Sequence, residues 1–449
     1  MSPKALKDAI RQKAGELGFE LVGMVPVQPS KTHEIYKAWL EKGYAGEMAY
    51  LERHLPLKQD PRNLLPEALS LVALAFNYYT GDHPESDGSK GKISRYAWSE
   101  DYHQIMHERL KQLSDFILVE LGLGTKSRGL VDSGPILERE YAWRAGLGWF
   151  GKHSNLIHWK KGSWFFLTEL LIDLPLEADQ PFTRVDCGTC TRCIEACPTE
   201  AIVADREVDS RLCISYLTIE LKGSIPRNLR PKMGNWIFGC DICQEVCPWN
   251  GKAPLSMEKG FAAEDSARTP DLGKLMELNQ SEFRKRFKNS PVLRTKRRGL
   301  LRNVAIALGN WGNPQAIPAL EQGLLDQEPL IRSHSAWGLG QVATNKAYDI
   351  LENALTSEED PQVLEEIREA LSAFKEKTDP ILKETSAIVP QRKAEEIACN
   401  TKLTLPSFAP ADGIASSKVD PPVFRQVPIQ FRKFQRGPII SIVHRGKAE

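Results

Sequence analysis

Eight of the nine cysteines in this 449-residue sequence fall between Cys187 and Cys247, a distribution that points to metal ligation in a reducing compartment and away from disulfides. The first run, CGTCTRCIEACP, carries Cys187, Cys190, Cys193 and Cys197 ahead of Pro198. The second, CDICQEVCP, carries Cys240, Cys243 and Cys247 ahead of Pro248, and Cys213 stands alone between them. The spacing C-x2-C-x2-C-x3-C-P is used by bacterial iron–sulfur proteins with two cubane 4Fe-4S clusters. Three thiolates on a tight loop wrap one cube, and the fourth, displaced onto a helix start, ligates the other. On that rule Cys187, Cys190, Cys193 and Cys247 hold the first cube. Cys197, Cys240 and Cys243 hold the second, with Cys213 supplying the missing ligand and Cys399 left over as a free thiol. Zinc also uses C-x2-C pairs, but ordinarily two pairs per ion and with no need for the C-x3-C-P ending. Two cubes form only a wire for single electrons, so a reaction centre has to sit at its end.

The elements that must position such a centre lie mostly upstream. ALKDAIRQKAGELG has a helical apolar stripe, FELVGMVPV and SLVALAFNYY read as strands, HQIMHERLKQLSDFILVELGL as a long amphipathic helix, and SWFFLTELLIDL as a further strand. This alternation predicts an α/β or α+β layer domain over residues 1–180, with GDHPESDGSKGK and DSGP as loops. Residues 181–256 hold the cysteines on short turns and brief helices. A helical region follows over 257–377. Within it LRNVAIALGNWGNPQAIPALEQGL repeats as RSHSAWGLGQVATNKAYDILENAL at a shift of 31 residues, matching Ala305 with Ala336, Gly309 with Gly340 and Leu320 with Leu351. That period is typical of a short helical solenoid, which QVLEEIREALSAF would cap. Residues 378–449 have little periodicity and are expected to be disordered. No apolar run approaches the roughly 20 residues that span a bilayer, and the N-terminus lacks the layout of an export signal. A cytoplasmic monomer is expected.

The segments VDSGPILEREYAWRAGLGWFGKHSNLI (131–157), ISRYAWSEDYH (93–103), CISYLTIELKGSIP (213–226) and SPVLRTKRRGLLRN (290–303), together with the asymmetric cysteines, resemble the epoxyqueuosine reductase family over about residues 5–375. These are cobalamin-dependent iron–sulfur enzymes that perform the last step of queuosine synthesis on tRNA. The resemblance implies an α+β multidomain fold: a nitroreductase-like α/β cobalamin-binding domain related to that of reductive dehalogenases, a two-cluster ferredoxin-like domain, and C-terminal HEAT-like α-helical repeats. It implies cobalamin bound base-off, two 4Fe-4S clusters feeding it, and a low-potential donor such as flavodoxin or ferredoxin. It also implies that Asp132 donates a proton as the epoxide oxygen leaves, a role that needs a carboxyl kept partly protonated by burial. Read without the resemblance, Asp132 suits an N-cap for a helix near Pro135. By the same resemblance Tyr96, Asp101, Tyr102, His103, Arg144, Gly148, Lys152, His153 and Ser154 belong to the cobalamin and substrate pocket. AGLGWFGK alone says only that backbone approaches something closely.

Formal net charge is +1, so an anionic partner has to be read from local charge. Nine basic residues and no acidic one lie between Phe283 and Arg302: Arg284, Lys285, Arg286, Lys288, Arg294, Lys296, Arg297, Arg298 and Arg302. A charge run is often only a solvated face. Just ahead of a helical repeat it also suits a phosphate track for the tRNA anticodon arm. Two other classes share parts of this pattern. A corrinoid reductive dehalogenase has no use for the basic stretch and repeats, and an electron carrier fused to a solenoid leaves the first 180 residues without a purpose.

Overall fold

The computed structural model describes residues 2–378 apart from Ser86, Gly124, Thr125, Ser133, Arg184, Val185 and Glu264. The expectation of a disordered tail, like Cys399, falls outside the described residues. Helix α1 (Pro3–Glu16) starts where the Ser2 side chain accepts from the Ala5 amide at 3.2 Å and Pro3 takes the first turn, and it buries Leu6, Ile10 and Ala14. Strands β1 (Leu21–Pro26) and β2 (Ser70–Asn77) follow. Helix α2 (Tyr102–Asp115) leads into a single π-type turn, and then come β3 (Ser127–Val131), α3 (Glu138–Arg144) and β4 (Phe165–Ile172). The sheet runs β1-β2-β4-β3, every pair antiparallel, with Ala73 opposite Glu169 and Val131 opposite Thr168. The central strands β2 and β4 are buried along their full length, which is why SLVALAFN and FFLTELLI read as apolar runs without alternation. One face packs on Ile10, Met106 and Leu110 of α1 and α2, the other on Tyr141 and Ala142 of α3.

Strand β3 has no hydrophobic signature. Arg128 and Gly129 occupy its middle and it is an edge strand, yet it delivers Asp132 directly at its end.

The cysteine segment is built from one-turn helices, Arg192–Glu195 and Ile242–Glu245, and from α4 (Ile214–Ile219), for which Cys213 is the N-cap. The solenoid contains α5 (Lys296–Trp311), α6 (Ile317–Leu324), α7 (Pro329–Val342), α8 (Asn345–Ser357) and α9 (Pro361–Thr378), so both expected repeat units and their cap are present. Close packing of α5 on α7 needs glycine: a Cβ on Gly309 would stand 2.8 Å from the Cα of Gly338. One apolar core runs from Tyr36, Trp39 and Met48 through Ile214 and Phe238 to Leu301 and Leu339, crossing the boundaries expected at 180 and 256. Trp39 Nε1, for example, donates to the Val208 carbonyl at 2.8 Å. Among the described residues no helix is long and apolar enough to cross a membrane.

Candidate active site

Three chain regions line one pocket that opens to solvent. Tyr78, Phe165 and Phe166 come from the sheet, Tyr96 and Tyr102 from the loop and helix start after it, Arg139 and Asn155 from α3 and the segment beyond. Cys240, Cys243 and Gln244 close one side, and Arg294 another.

Local sequence explains the aim of these groups. Asp101 caps α2, its carboxylate accepting from the His103 amide at 3.1 Å, and this fixes the first turn that carries Tyr102 and His103. The Tyr102 ring lies flat on Phe166 at 4.0 Å, and its hydroxyl donates to Asp132 Oδ2. His103 Nε2 stands 3.6 Å from that same oxygen, while Nδ1 lies 2.6 Å from Asp101 Oδ1. Asp132, with a side chain 4% exposed, sits at φ 41°, a left-handed conformation costing a non-glycine residue about 1 kcal/mol or more. It does not cap a helix, since α3 begins at Glu138 with Leu137 before it. The result is a chain Asp101–His103–Asp132–Tyr102. Burial, then the Asp132 charge, holds the Tyr102 phenol well above its usual range, so it is a donor at neutral pH. Burial also works to raise Asp101, but the hydrogen bond and charge of His103 outweigh it and hold that carboxyl low.

Of the nine expected pocket residues only Tyr96 and Tyr102 line this cavity; Asp101 and His103 connect to it through Tyr102 and Asp132, and the other five have different surroundings. The Arg144 guanidinium donates to Gln28 Oε1 at 2.9 Å and lies 3.5 Å from Glu140. Gly148 is required by a backbone approach, because a Cβ there would stand 2.1 Å from the Ile157 carbonyl oxygen. Lys152 pairs with Asp205 at 3.2 Å. His153 and Ser154 are buried behind Asn155, with the Ser154 carbonyl accepting from Arg139 Nη1 at 3.2 Å. Burial pushes His153 down to about 4, and its Nδ1 accepts from the Asn155 amide at 3.2 Å. The hydrogen therefore sits on Nε2, a buried donor without a partner, as is Arg294 Nη2. A cavity walled by the aromatic rings of Tyr78, Tyr96, Phe165 and Phe166 fits a flat cofactor.

The cysteines sort by environment. Cys193 lies in the field of Cys187, Cys247 and Cys190, and Cys213, Cys240, Cys243 and Cys197 act on one another, with Cys193 also reaching Cys243 across the two groups. Burial pushes Cys193 up to about 12 and Cys213 and Cys247 up to about 11, so these thiols become thiolates only beside compensating cations. Sulfurs on one zinc stand about 3.8 Å apart by tetrahedral geometry. Among the described residues no three cysteine sulfurs lie within 4.8 Å of one another. The set that does, His83, Asp241 and Glu245, already has Arg95 Nη1 at 3.0 Å from Asp241 and 2.7 Å from Glu245. Asp241 also accepts from Ser94 Oγ and from the Arg95 amide at 2.9 Å, tying the Cys240–Cys243 loop to the segment carrying Tyr96.

The basic segment divides in two. Arg284, Lys285, Arg286, Lys288, Lys296 and Arg298 are exposed. Arg302 is not: it is fully buried and donates to the carbonyls of Leu217, Leu221 and Gly223, closing the end of α4. Arg297 clasps Asp326 and donates to the Leu278 carbonyl, and Arg294 points into the cavity. These three are corrected from phosphate contacts to interior residues. Sequence charge alone does not distinguish them, because the helical phase that turns Arg302 inward is set by the core it joins.

Three family models match the chain: "Epoxyqueuosine reductase QueG, DUF1730" over 58–133, "4Fe-4S double cluster binding domain" over 186–250 and "HEAT repeats" over 291–372. The epoxyqueuosine reductase of Vibrio cholerae is 44% identical over 345 residues, 76% of this chain and 92% of that protein. The Escherichia coli one is 42% identical over 340 residues, 75% and 89% of the two chains. The chain belongs to the epoxyqueuosine reductase family. A solved epoxyqueuosine reductase with a tRNA-Tyr epoxyqueuosine-modified tRNA stem loop superposes with a TM-score of 0.77 at 29% identity, covering 83% of this chain and all of that one. One from Bacillus subtilis, whose catalytic aspartate loop is swung out of the active site, gives 0.75 at 28% identity, again over 83% of this chain and all of that one. An epoxyqueuosine reductase thus has the expected α+β architecture, with a nitroreductase-like core, a cluster domain and HEAT-like helices. The sequence did not single out Tyr78, Arg139, Asn155 or Gln244. Arg139 and Asn155 belong to the conspicuous 131–157 segment, and Gln244 to the second cysteine run.

Proposed function

We infer that this chain reduces the epoxide of epoxyqueuosine in tRNA to the alkene of queuosine, with net uptake of two electrons and two protons and release of water. The observation that carries this is that Tyr102, which donates to Asp132 with His103 beside it, and the Cys240–Cys243 loop line one aromatic cavity. Cobalamin, base-off, would fill that cavity against Tyr78, Phe165 and Phe166, and supplies low-valent cobalt chemistry when bound. Cys187, Cys190, Cys193 and Cys247 would ligate the outer 4Fe-4S cluster, and Cys197, Cys213, Cys240 and Cys243 the one at the cavity wall. Electrons reach this wire from a low-potential carrier such as flavodoxin or ferredoxin.

The protein's own work is proton supply and orientation. Asp132 delivers a proton to the departing oxygen. His103 is placed to reload it, because Asp101 holds Nδ1 and leaves Nε2 facing the carboxyl. Tyr102 fixes the rotamer of Asp132 by donating to Oδ2. The exposed residues Arg284, Lys285, Arg286, Lys288, Lys296 and Arg298 hold the phosphates of the anticodon arm, which sets position and carries little sequence information. Anaerobic turnover of an epoxyqueuosine-containing stem loop, followed by loss of one oxygen in the mass of the nucleoside, tests this directly. Asp132→Asn is expected to slow that conversion by about 100-fold or more at unchanged stem-loop affinity. Full activity in that variant would remove Asp132 from the mechanism.

A further inference from the structure

Among the described residues Arg294 is a largely buried cation for which no hydrogen bond supplies a structural task. Two other interior arginines show what such a task looks like. Arg230 forms a bidentate pair with Glu366 at 3.0 and 2.7 Å, and Arg302 donates to three backbone carbonyls. Arg294, with a side chain 12% exposed, has its nearest carboxylate, Glu220, at 3.8 Å, and its Nη2 is buried with no hydrogen-bond partner. Its backbone is held firmly. Val292 is buried beside it, the Thr295 hydroxyl donates to the Thr218 carbonyl at 3.0 Å, and Lys296 turns through φ 60° to start α5. Asn289, at the start of the same segment, accepts from the Asp101 amide at 2.6 Å, which ties this loop to the cap of the helix carrying Tyr102 and His103. A guanidinium fixed in this way lines the cavity, with Tyr102, Tyr96, Glu220 and Asp132 in its field. A buried donor without an acceptor needs a reason, and an acceptor that exists only while substrate reacts supplies one.

We propose that Arg294 is a catalytic residue whose Nη2 hydrogen-bonds the epoxide oxygen and stabilises the negative charge that gathers on it as its first carbon–oxygen bond breaks. This deepens, and rests on, the assignment of epoxide reduction. The balance is unchanged: two electrons arrive through the clusters, both carbon–oxygen bonds of the oxygen are broken, and two protons leave with it as water. Arg294 transfers no proton, since guanidinium stays charged; it holds the oxyanion until Asp132 protonates it.

The test uses the anaerobic holoenzyme and an epoxyqueuosine-containing stem loop, with single-turnover rate and stem-loop Kd measured separately. Arg294→Met is expected to lower the rate about 100-fold, the usual cost of one oxyanion donor. Its Kd should stay within about 3-fold, and its iron and cobalamin content should match wild type. Arg294→Ala should be partly rescued by added guanidinium but not by sodium at the same ionic strength, a response that a packing role does not give. Arg294→Lys, which keeps the charge, should fall between wild type and Arg294→Met and decides the matter if the other variants do not fold. A wild-type rate in the Met or Lys variant overturns the proposal. So does a loss of Kd equal to the loss of rate with a shallower salt dependence, which would make Arg294 a phosphate contact. Loss of cobalamin would make it a cofactor contact and overturns the proposal too. A wild-type holoenzyme that leaves the stem loop unreduced would instead refute the assigned reaction itself.

Discussion

Replacing Cys213 by alanine should damage one cluster and spare the other. Cys213 enters α4 as its N-cap, half-buried, lies in the field of Cys197 and acts on Cys240 and Cys243, and none of the other four cysteines depends on it. Each cube takes four thiolates and four irons, so the intact chain carries about 8 irons and the variant between about 4 and 7, according to whether three thiolates retain a partial cluster. The spectrum decides more than the count. Cys213→Ala and Cys197→Ala should leave the same surviving cube, and Cys247→Ala should leave the other, because Cys247 belongs with Cys187 and Cys193. Since Cys240 and Cys243 line the cavity, loss of their cube should also abolish stem-loop turnover even with a small chemical reductant. Anaerobic iron analysis with electron paramagnetic resonance of the dithionite-reduced variants reads all of this. An unchanged iron count in Cys213→Ala, or identical residual signals in Cys213→Ala and Cys247→Ala, would refute the sorting.

Other outcomes follow from named contacts. Tyr102→Phe should lower turnover by about 10-fold with little change in stem-loop affinity, since it frees the Asp132 rotamer while leaving the carboxyl in place; unchanged turnover would deny Tyr102 its orienting role. Arg298→Glu, at an exposed site, should weaken stem-loop binding and reduce the logarithmic salt slope by about 0.7 to 0.9, whereas Arg302→Met should lower thermal stability by about 2 to 4 kcal/mol. Binding titrations at several salt concentrations and thermal melts separate the two. His334 is fully buried, and burial holds it well below 6.5. The unfolded chain therefore takes up a proton near pH 6.5 that the folded chain refuses, and stability should fall by about 1.4 kcal/mol per pH unit from this group as pH drops below 6.5, with no effect above it. Denaturant titrations of wild type and His334→Gln between pH 5 and 8 check that slope.

The elements that could be read from the sequence were those whose periodicity reflects burial. The apolar runs at 70–77 and 165–172 became the two central strands, and the 31-residue repeat became α5 to α8. Cysteine spacing carried information for the same reason, because cluster geometry restricts it. Strand β3 and the basic arginines were harder to read for a shared reason. An edge strand needs no apolar alternation, and an arginine beside helical turns has its direction fixed by neighbours far away in sequence. Arg302 reaches Leu217, and Arg297 reaches Asp326. Lys152 and His153 stood out as polar residues in a glycine-rich run, yet the structure spends them on Asp205 and on shaping the turn that presents Asn155.

The cavity has no single owner, and its walls are tied together by bonds between distant segments. Asp241 holds Ser94 and Arg95, so the cluster loop fixes the segment that leads to Tyr96. Asn289 accepts from the Asp101 amide, so the basic segment fixes the cap that aims Tyr102 and His103. Asn303 Nδ2 donates to the carbonyls of Thr218 and Ile237 at 2.8 Å each, so α5 braces both the helix after Cys213 and the strand before Cys240. The solenoid therefore does more than offer a surface for an anticodon arm: it completes the site at which the arm's modified base would react. A chain cut after residue 289 keeps all eight clustered cysteines and Asp132 but loses Arg294, the Thr295 and Asn303 braces and the core around Leu301. Such a fragment should fail on the free nucleoside as well as on tRNA, which separates a completing role for the repeats from a purely tethering one.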